Sequence, residues 1–200
     1  MRIILFLFMS TLVLTNACNK SSVVEPPPAS TSLPIRTARD LPADTGSASK
    51  FTYFSLRDSA IVVGVDTTTN KWDLAFASTS IRTNSGTSGL GTGGAVVLSQ
   101  ADFDTLSLGP ASGYSIDTSA TKLAIRTGSD NGWYHYDFAT NIITPVAGRV
   151  LVIRTGDGKY AKVQIVSYYK GAPAAPTATD KSRYYTFKYV YQPDGSAKLR

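Results

Sequence analysis

The side chains that could do chemistry are concentrated in one short segment, Trp133 to Asp137. It contains His135, the single histidine of the 200-residue chain, and Asp137 two residues further on. A hydrolase triad would have to use this pair, but the sequence contains no G-x-S-x-G turn to present a serine nucleophile. A zinc site of histidine and cysteine ligands is excluded too, because Cys18 is the only cysteine. We therefore expect no enzymatic activity.

A second chemical signal lies in the glycine-rich segment Asn84 to Gly94. Gly89, Gly91 and Gly94 match the G-x-G-x-x-G pattern of dinucleotide-binding loops. That pattern needs a following helix whose N-terminus binds the pyrophosphate, whereas Ala95–Leu98 predicts a short buried strand. Five glycines in eleven residues also disfavour a helix, since each costs about 1 kcal/mol there relative to alanine. We predict a loop and no nucleotide site.

The residues before this loop have the pattern of a half-buried β-strand. Trp72, Leu74 and Phe76 alternate with smaller or polar residues, which is the two-residue period of a strand. Similar patterns and β-branched runs predict further strands at Phe51–Leu56, Ala60–Val65, Ile81–Thr83, Lys122–Arg126, Trp133–Phe138, Asn141–Pro145, Arg149–Arg154, Lys159–Lys170 and Arg183–Gln192. Asp102–Leu106 predicts either a strand or a single helical turn.

No window of eleven or more residues shows a 3.6-residue apolar period, so residues 50–200 are predicted to form one all-β, antiparallel, sandwich-like domain. The last predicted strand places four aromatic residues on one face, and we interpret that face as core packing. They are Tyr185, Phe187, Tyr189 and Tyr191.

The N-terminal residues predict export. Arg2 and the apolar run Ile3–Leu14 form a signal-peptide pattern, and twelve residues span only about 18 Å of helix, too short for a bilayer. A small residue precedes Cys18, so we predict a lipoprotein signal over residues 1–17 and lipidation of Cys18. The alternative is an ordinary secretory signal with an incidental cysteine. Residues 18–49, rich in Ser, Thr, Pro and Ala, predict a flexible, disordered tether.

The charge pattern does not favour nucleic-acid binding. Cleavage before Cys18 would remove Arg2 alone among the charged residues, leaving a net charge of 19 − 14 = +5. The basic residues are scattered rather than clustered, which is typical of a solvated surface. No acidic residue follows Cys18 directly, so the sequence leaves open whether an outer-membrane lipid anchor would hold the protein at the cell surface or on the periplasmic face.

The ordered set of segments resembles the HmuY-like haem-binding lipoproteins of Bacteroidetes. The matching segments run in the family's order from about residue 50 to 192. They are Trp72–Phe76, Ile81–Gly86, Ser88–Gly89 with Gly91 and Gly93–Ala95, Gly132–Trp133, Val152–Arg154 with Gly156–Gly158, Ala161–Gln164, and Thr186–Phe187 with Tyr189 and Tyr191.

This resemblance implies an all-β fold that holds haem between loops at one end. It also implies that haem is taken from host haemoproteins and passed to an outer-membrane receptor. Known members use two axial ligands, His or Met, on loops flanking the strand that corresponds to Trp133. The present sequence departs from that pattern, because both methionines, Met1 and Met9, lie in the predicted signal and His135 is the only histidine.

The candidate haem ligands are therefore His135, Tyr134 and Tyr136, with His135 a metal ligand only as a ligand of haem iron. The resemblance also implies that basic residues pair with the haem propionates. The alternative for His135 is an exposed strand histidine, and for Tyr134, Tyr136 and Phe138 it is a place in the core. The leading functional hypothesis is a non-enzymatic envelope lipoprotein that binds haem or a related porphyrin for uptake. The alternative is an envelope interaction module for a protein or glycan that has lost haem binding.

Overall fold

The computed structural model describes residues 32–43 and 50–200, and within them the chain forms three antiparallel sheets. The strands are β1 Arg36–Pro42, β2 Thr52–Ser55, β3 Ala60–Val62, β4 Leu74–Ala77, β5 Ser80–Thr83, β6 Gly94–Leu98, β7 Tyr134–Asp137, β8 Ile142–Pro145, β9 Val150–Arg154, β10 Tyr160–Tyr169 and β11 Ser182–Gln192. One sheet has the order β1-β11-β10-β9-β6 and another β3-β2-β4-β5, while β7 and β8 form a separate hairpin. The predicted antiparallel all-β class is confirmed.

The two larger sheets pack face to face through aromatic rings. Phe187 on β11 lies 5.3 Å from Phe54 on β2 and 5.5 Å from Phe76 on β4, measured between ring centroids. Tyr185 lies 4.8 Å from Phe76 and 5.1 Å from Trp133. The predicted aromatic face of β11 is thus confirmed as core. Its members Tyr185, Phe187, Tyr189 and Tyr191 are all buried.

The segment around Trp72 is buried on both faces, so the prediction of a half-buried strand is wrong there. Trp72 and Asp73 precede β4, and Asp73 is only 5% exposed. Its carboxylate accepts hydrogen bonds from the backbone N–H of Leu56 at 2.7 Å and of Gly156 at 3.0 Å. Burial raises the pKa of Asp73 to about 6, although these two hydrogen bonds favour the ionised form.

The glycine-rich segment is a loop, as predicted, and the fully buried Asn84 organises it. The Asn84 side chain donates to the carbonyls of Thr69 and Trp72 and accepts from the N–H of Gly91 at 2.8 Å. Gly91 is needed for close approach rather than for positive φ. A Cβ there would lie 2.7 Å from the Cα of Gly156, so the loop fits only without a side chain.

The N-terminal boundary of the domain differs from the prediction. Arg36–Pro42, assigned from the sequence to the tether, forms β1 and pairs antiparallel with β11. The sequence of β1 lacks the apolar alternation of a strand because β1 is an edge strand with few buried positions. Leu41 is the most buried of its residues. The predicted signal peptide and Cys18 lie outside the described residues.

The predicted strand Lys122–Arg126 is also wrong, because these residues form no regular structure. The buried carboxylate of Asp117 explains their conformation. It accepts from the backbone N–H of Ala124 at 2.7 Å and of Thr83 at 3.0 Å. This segment therefore satisfies its backbone through a side chain instead of a strand partner.

Two further segments differ in detail. The strand predicted over Ala60–Val65 ends at Val62, because Gly64 adopts a φ of +64° and begins a 3-10 helix, Gly64–Thr68. Asp102–Leu106 is a helical turn, the second of the two forms predicted, with the Leu106 N–H donating to the Asp102 carbonyl. In the described part of the chain, no helix has the length and apolar character to cross a bilayer.

The aromatic packing between the sheets predicts a large effect of Phe187→Ala. Phe187 is fully buried against aromatic rings from both sheets, and truncation of such a residue costs roughly 3–5 kcal/mol. Phe138→Ala is the matched control, because Phe138 is 82% exposed and should change stability by less than about 0.5 kcal/mol. Urea unfolding of both variants measures the difference, and equal midpoints would contradict the packing described here.

The raised pKa of Asp73 predicts a stability that falls as pH rises from about 4 to 6. In this window the native state retains the proton of Asp73 while the unfolded chain has released it, so rising pH favours unfolding. The accumulated loss is about 3 kcal/mol. Asp58, Asp130, Asp137 and Asp194 have lowered pKa values, and their opposite contribution falls below this window.

Denaturant unfolding of the wild type and of Asp73→Asn between pH 4.5 and 7 isolates this contribution. The asparagine cannot titrate, so its stability should decline less over the same range. Parallel stability curves for the two proteins would show that Asp73 does not have the raised pKa. A carboxyl NMR titration of the wild type gives the pKa directly.

Candidate functional site

The hairpin of β7 and β8 projects a short loop with a fixed conformation. Asp137, at the end of β7, accepts hydrogen bonds from the Ala139 N–H at 2.8 Å and the Thr140 hydroxyl at 2.7 Å. The hydrogen bond from Thr140 is the main reason that the pKa of Asp137 is lowered. At the other side, the Tyr169 hydroxyl of β10 accepts from the Ile143 N–H at 3.0 Å. The hairpin is therefore attached to the larger sheet by its second strand.

His135 occupies the exposed face of β7, opposite Thr144 of β8. Its Nδ1 lies 2.9 Å from both carboxylate oxygens of Asp130. A carboxylate can only accept, so Nδ1 carries the proton and Nε2 is the ring nitrogen left for another partner. The hydrogen bonds from His135 and then from Ser129 lower the pKa of Asp130, which keeps it ionised near neutral pH.

An open groove of about 690 Å³ runs beside this hairpin. One wall is the hairpin itself, and the other is the loop between β10 and β11. Asp180 shapes that loop by accepting from both the N–H and the hydroxyl of Thr177, at 2.7 and 2.9 Å. The lining residues are His135, Asp137, Thr140, Ile142, Thr144, Ala174, Ala175, Pro176, Thr177 and Ala178.

The structure brings only one of the three candidate haem ligands to this groove, and that residue is His135. Tyr134 is buried, with its ring 5.0 Å from Trp133, so it belongs to the core. Tyr136 is partly buried, and its hydroxyl donates to the Asn141 amide oxygen at 2.5 Å. Phe138 was expected in the core but is exposed. It lies in the turn after β7, where alternation of faces no longer applies.

Sequence reasoning missed two parts of this site. Asp130 lies five residues before His135 in a turn, and no strand or helix period connects the two residues. The turn-forming sequence Ser129-Asp130-Asn131-Gly132 was the only local signal for it. The apolar wall at Ala174–Pro176 comes from a loop about 40 residues further along the chain, so only the fold could place it beside His135.

The residues present fit a haem group. The groove has the volume of a small-molecule site and an apolar wall, and imidazole nitrogen is a common axial ligand of haem iron. His135 and Asp130 also have the ligand-and-carboxylate arrangement that often surrounds protein-bound metals. Residues 32–43 and 50–200 contain no group of three or more His, Cys, Asp or Glu side chains placed to hold a metal ion directly.

A second, more polar cavity of about 760 Å³ lies at the segment Tyr114–Asn131. Two cations line it, Lys122 and Arg126, and no carboxylate does. Neither cation forms an ion pair or a side-chain hydrogen bond within the described part of the chain. The other lining side chains are mostly hydroxyls and an amide, from Tyr114, Ser115, Thr118, Thr121, Thr127 and Asn131, with the apolar Ile116 and Leu123.

The geometry defines a class of protein: an antiparallel β-sandwich with an open groove beside a projecting hairpin. The family model described as HmuY protein matches residues 47–189, more than two thirds of the chain. The chain therefore belongs to the HmuY family, and the resemblance deduced from the sequence is confirmed. A search of curated protein sequences finds no match.

Several solved structures resemble this fold at low sequence identity. The apo HmuY analogue TFO of Tannerella forsythia has a TM-score of 0.52 at 17% identity, covering 80% of this chain and 96% of that one. Apo PinO of Porphyromonas gingivitis also has a TM-score of 0.52, at 15% identity, covering 80% and 98%. A protein of Bacteroides vulgatus described as HmuY-like and haem-binding has a TM-score of 0.48 at 18% identity, covering 78% and 91%.

Proposed function

We propose that this protein binds haem or a related porphyrin in the groove beside the hairpin, with His135 as an axial ligand of the iron. The observation that carries the proposal is the position of His135, which lines the groove while Asp130 engages its Nδ1 and leaves Nε2 available. Membership of the HmuY family supports the class of ligand. The protein acts as a carrier in haem uptake and not as an enzyme.

The residues of the groove have separate roles in this proposal. Ile142 of the hairpin and Ala174–Pro176 of the opposite loop provide apolar contact for a flat macrocycle and exclude water from its faces. His135 provides the ligand nitrogen, and bound haem would provide the iron that it coordinates. Lys170 and Lys181 flank the opposite loop, and their ammonium groups lie over the Tyr184 ring at 5.6 and 5.1 Å. They are our candidates for pairing with the propionates.

The cellular setting is part of the same proposal. Cleavage before Cys18 and its lipidation would anchor the protein in the outer membrane, and the segment between Cys18 and β1 would connect the anchor to the domain. The partners are then a host haemoprotein as the source of haem and an outer-membrane receptor as its acceptor.

A second candidate function is suggested by the polar cavity. Its two cations, its hydroxyl-rich lining and its lack of a lining carboxylate suit an acidic glycan rather than an apolar ligand. This function corresponds to an envelope interaction module and does not require His135. It is the function that remains if haem does not bind.

A haemin titration tests the first proposal. The wild type should give a saturable, sharpened and shifted Soret band at one haem per chain. His135→Ala should abolish the shift or weaken binding at least tenfold, because it removes the ligand nitrogen. Tyr136→Phe is the control, since it removes only a hydroxyl that bonds Asn141. A wild-type spectrum like that of free haemin would refute haem binding, and loss of the shift in Tyr136→Phe instead would assign the ligand to tyrosinate.

The second candidate predicts binding of a sulfated or uronic-acid oligosaccharide that weakens as salt increases. Lys122→Ala combined with Arg126→Ala should lower the affinity at least tenfold, because it removes both cations of the cavity. Lys198→Ala, at an exposed lysine outside the cavity, is the matched control. Equal affinity for the double variant and the control, measured by calorimetry, would exclude this cavity as the binding site.

A further inference from the structure

The backbone of Asp130 is held by several partners. Its φ is +64°, the left-handed conformation that aspartate tolerates in turns. Its N–H donates to the Tyr134 carbonyl at 2.7 Å, and its own carbonyl accepts from Nη2 of Arg149 at 3.0 Å. These two hydrogen bonds fix the position of Asp130 relative to β7 and Arg149.

The carboxylate of Asp130 is fixed as firmly as its backbone. Both of its oxygens lie 2.9 Å from Nδ1 of His135, and the Ser129 hydroxyl donates to Oδ2 at 2.9 Å. The same Ser129 oxygen accepts the N–H of Tyr136 at 2.9 Å, which ties the turn to β7. The orientation of the His135 ring is therefore set by a carboxylate that has little freedom of its own.

Stability alone does not account for this arrangement. The side chains of His135 and Asp130 are 51% and 59% exposed, and exposed ion pairs contribute little to folding. The contacts act instead on the imidazole, because both carboxylate oxygens engage Nδ1 and leave Nε2 available for another partner.

We propose that Asp130 is a positioning residue that orients His135 and makes its Nε2 a stronger electron donor to haem iron. This inference rests on the proposed function, since it requires His135 to be the ligand. A carboxylate that accepts from Nδ1 increases the electron density of the imidazole ring. The basicity of Nε2, the ligating nitrogen, is raised as a result. A more basic ligand stabilises ferric iron relative to ferrous iron, so Asp130 lowers the reduction potential of the bound haem.

The consequence concerns which form of haem the protein retains. One electron from an external reductant converts ferric to ferrous iron, and Asp130 makes this step less favourable without giving up a proton. The site is thereby adapted to ferric haem, the oxidised form. Arg149, which contacts only the carbonyl of Asp130, does not neutralise the carboxylate by direct contact.

The test uses Asp130→Asn and Asp130→Gly in the full-length protein loaded with haemin. Both residue types tolerate a positive φ, so the turn should be retained, and thermal melts check that it folds. Asp194→Asn is the matched control, because Asp194 is an exposed turn carboxylate that accepts from the Ser196 N–H and does not line the groove. Reductive titration with dithionite in the presence of redox mediators gives the midpoint potential of the bound haem. Resonance Raman spectroscopy gives the frequency of the iron–histidine stretch in the ferrous form.

We expect both Asp130 variants to bind one haem per chain and to raise the ferrous-to-ferric ratio at a given potential at least tenfold, or about 59 mV for this one-electron couple. The iron–histidine stretch should move to lower frequency, and Asp194→Asn should match the wild type in both the potential and the stretch. If the Asp130 variants keep the wild-type potential and stretch while His135→Ala loses ligation, the inference is wrong and the proposed function stands. If His135→Ala keeps the wild-type spectrum, His135 is not the ligand and both fail.

Discussion

The loops of this structure are held in place by buried polar side chains that form hydrogen bonds with loop backbone groups. Asp73 joins the N–H groups of Leu56 and Gly156, which lie just after β2 and β9 of opposite sheets. A carboxylate buried to this extent is unfavourable on its own, and it is tolerated because each oxygen receives a backbone hydrogen bond. These hydrogen bonds hold together the loop at Leu56 and the loop at Gly156, neither of which has a strand partner there.

Asn84, whose N–H donates to the Asp73 carbonyl, and Asp117 act in the same way. Asn84 receives one hydrogen bond from the glycine loop and donates two to the segment around Trp72, and Asp117 connects β5 with residues 117–124. Glycines at 91 and 156 are required because the backbones nearly touch. The hairpin of β7 and β8 also contributes to the core between the sheets, through Trp133 and Tyr134.

The hairpin of β7 and β8 carries the candidate ligand of the groove, His135. It is attached to the core by Trp133, Tyr134 and the hydroxyl of Tyr169, while His135 faces outward toward the groove. This chain has one histidine, and both of its methionines, Met1 and Met9, lie in the predicted signal. In our proposal, His135 is the protein ligand of haem iron, and Asp130 orients its ring and strengthens it as an electron donor.

The sequence by itself determined the β class, most strands of the larger sheets and the aromatic face of β11, because a two-residue period and β-branched runs are local properties. It also restricted the chemistry, since one histidine allows few kinds of site. It did not reveal β1, whose polar residues become a strand only against the free edge of β11. It misassigned Lys122–Arg126, where a buried carboxylate replaces strand pairing. Only the tertiary structure could bring Asp130 and the loop at Ala174–Pro176 to His135, because those contacts join segments that no local pattern relates.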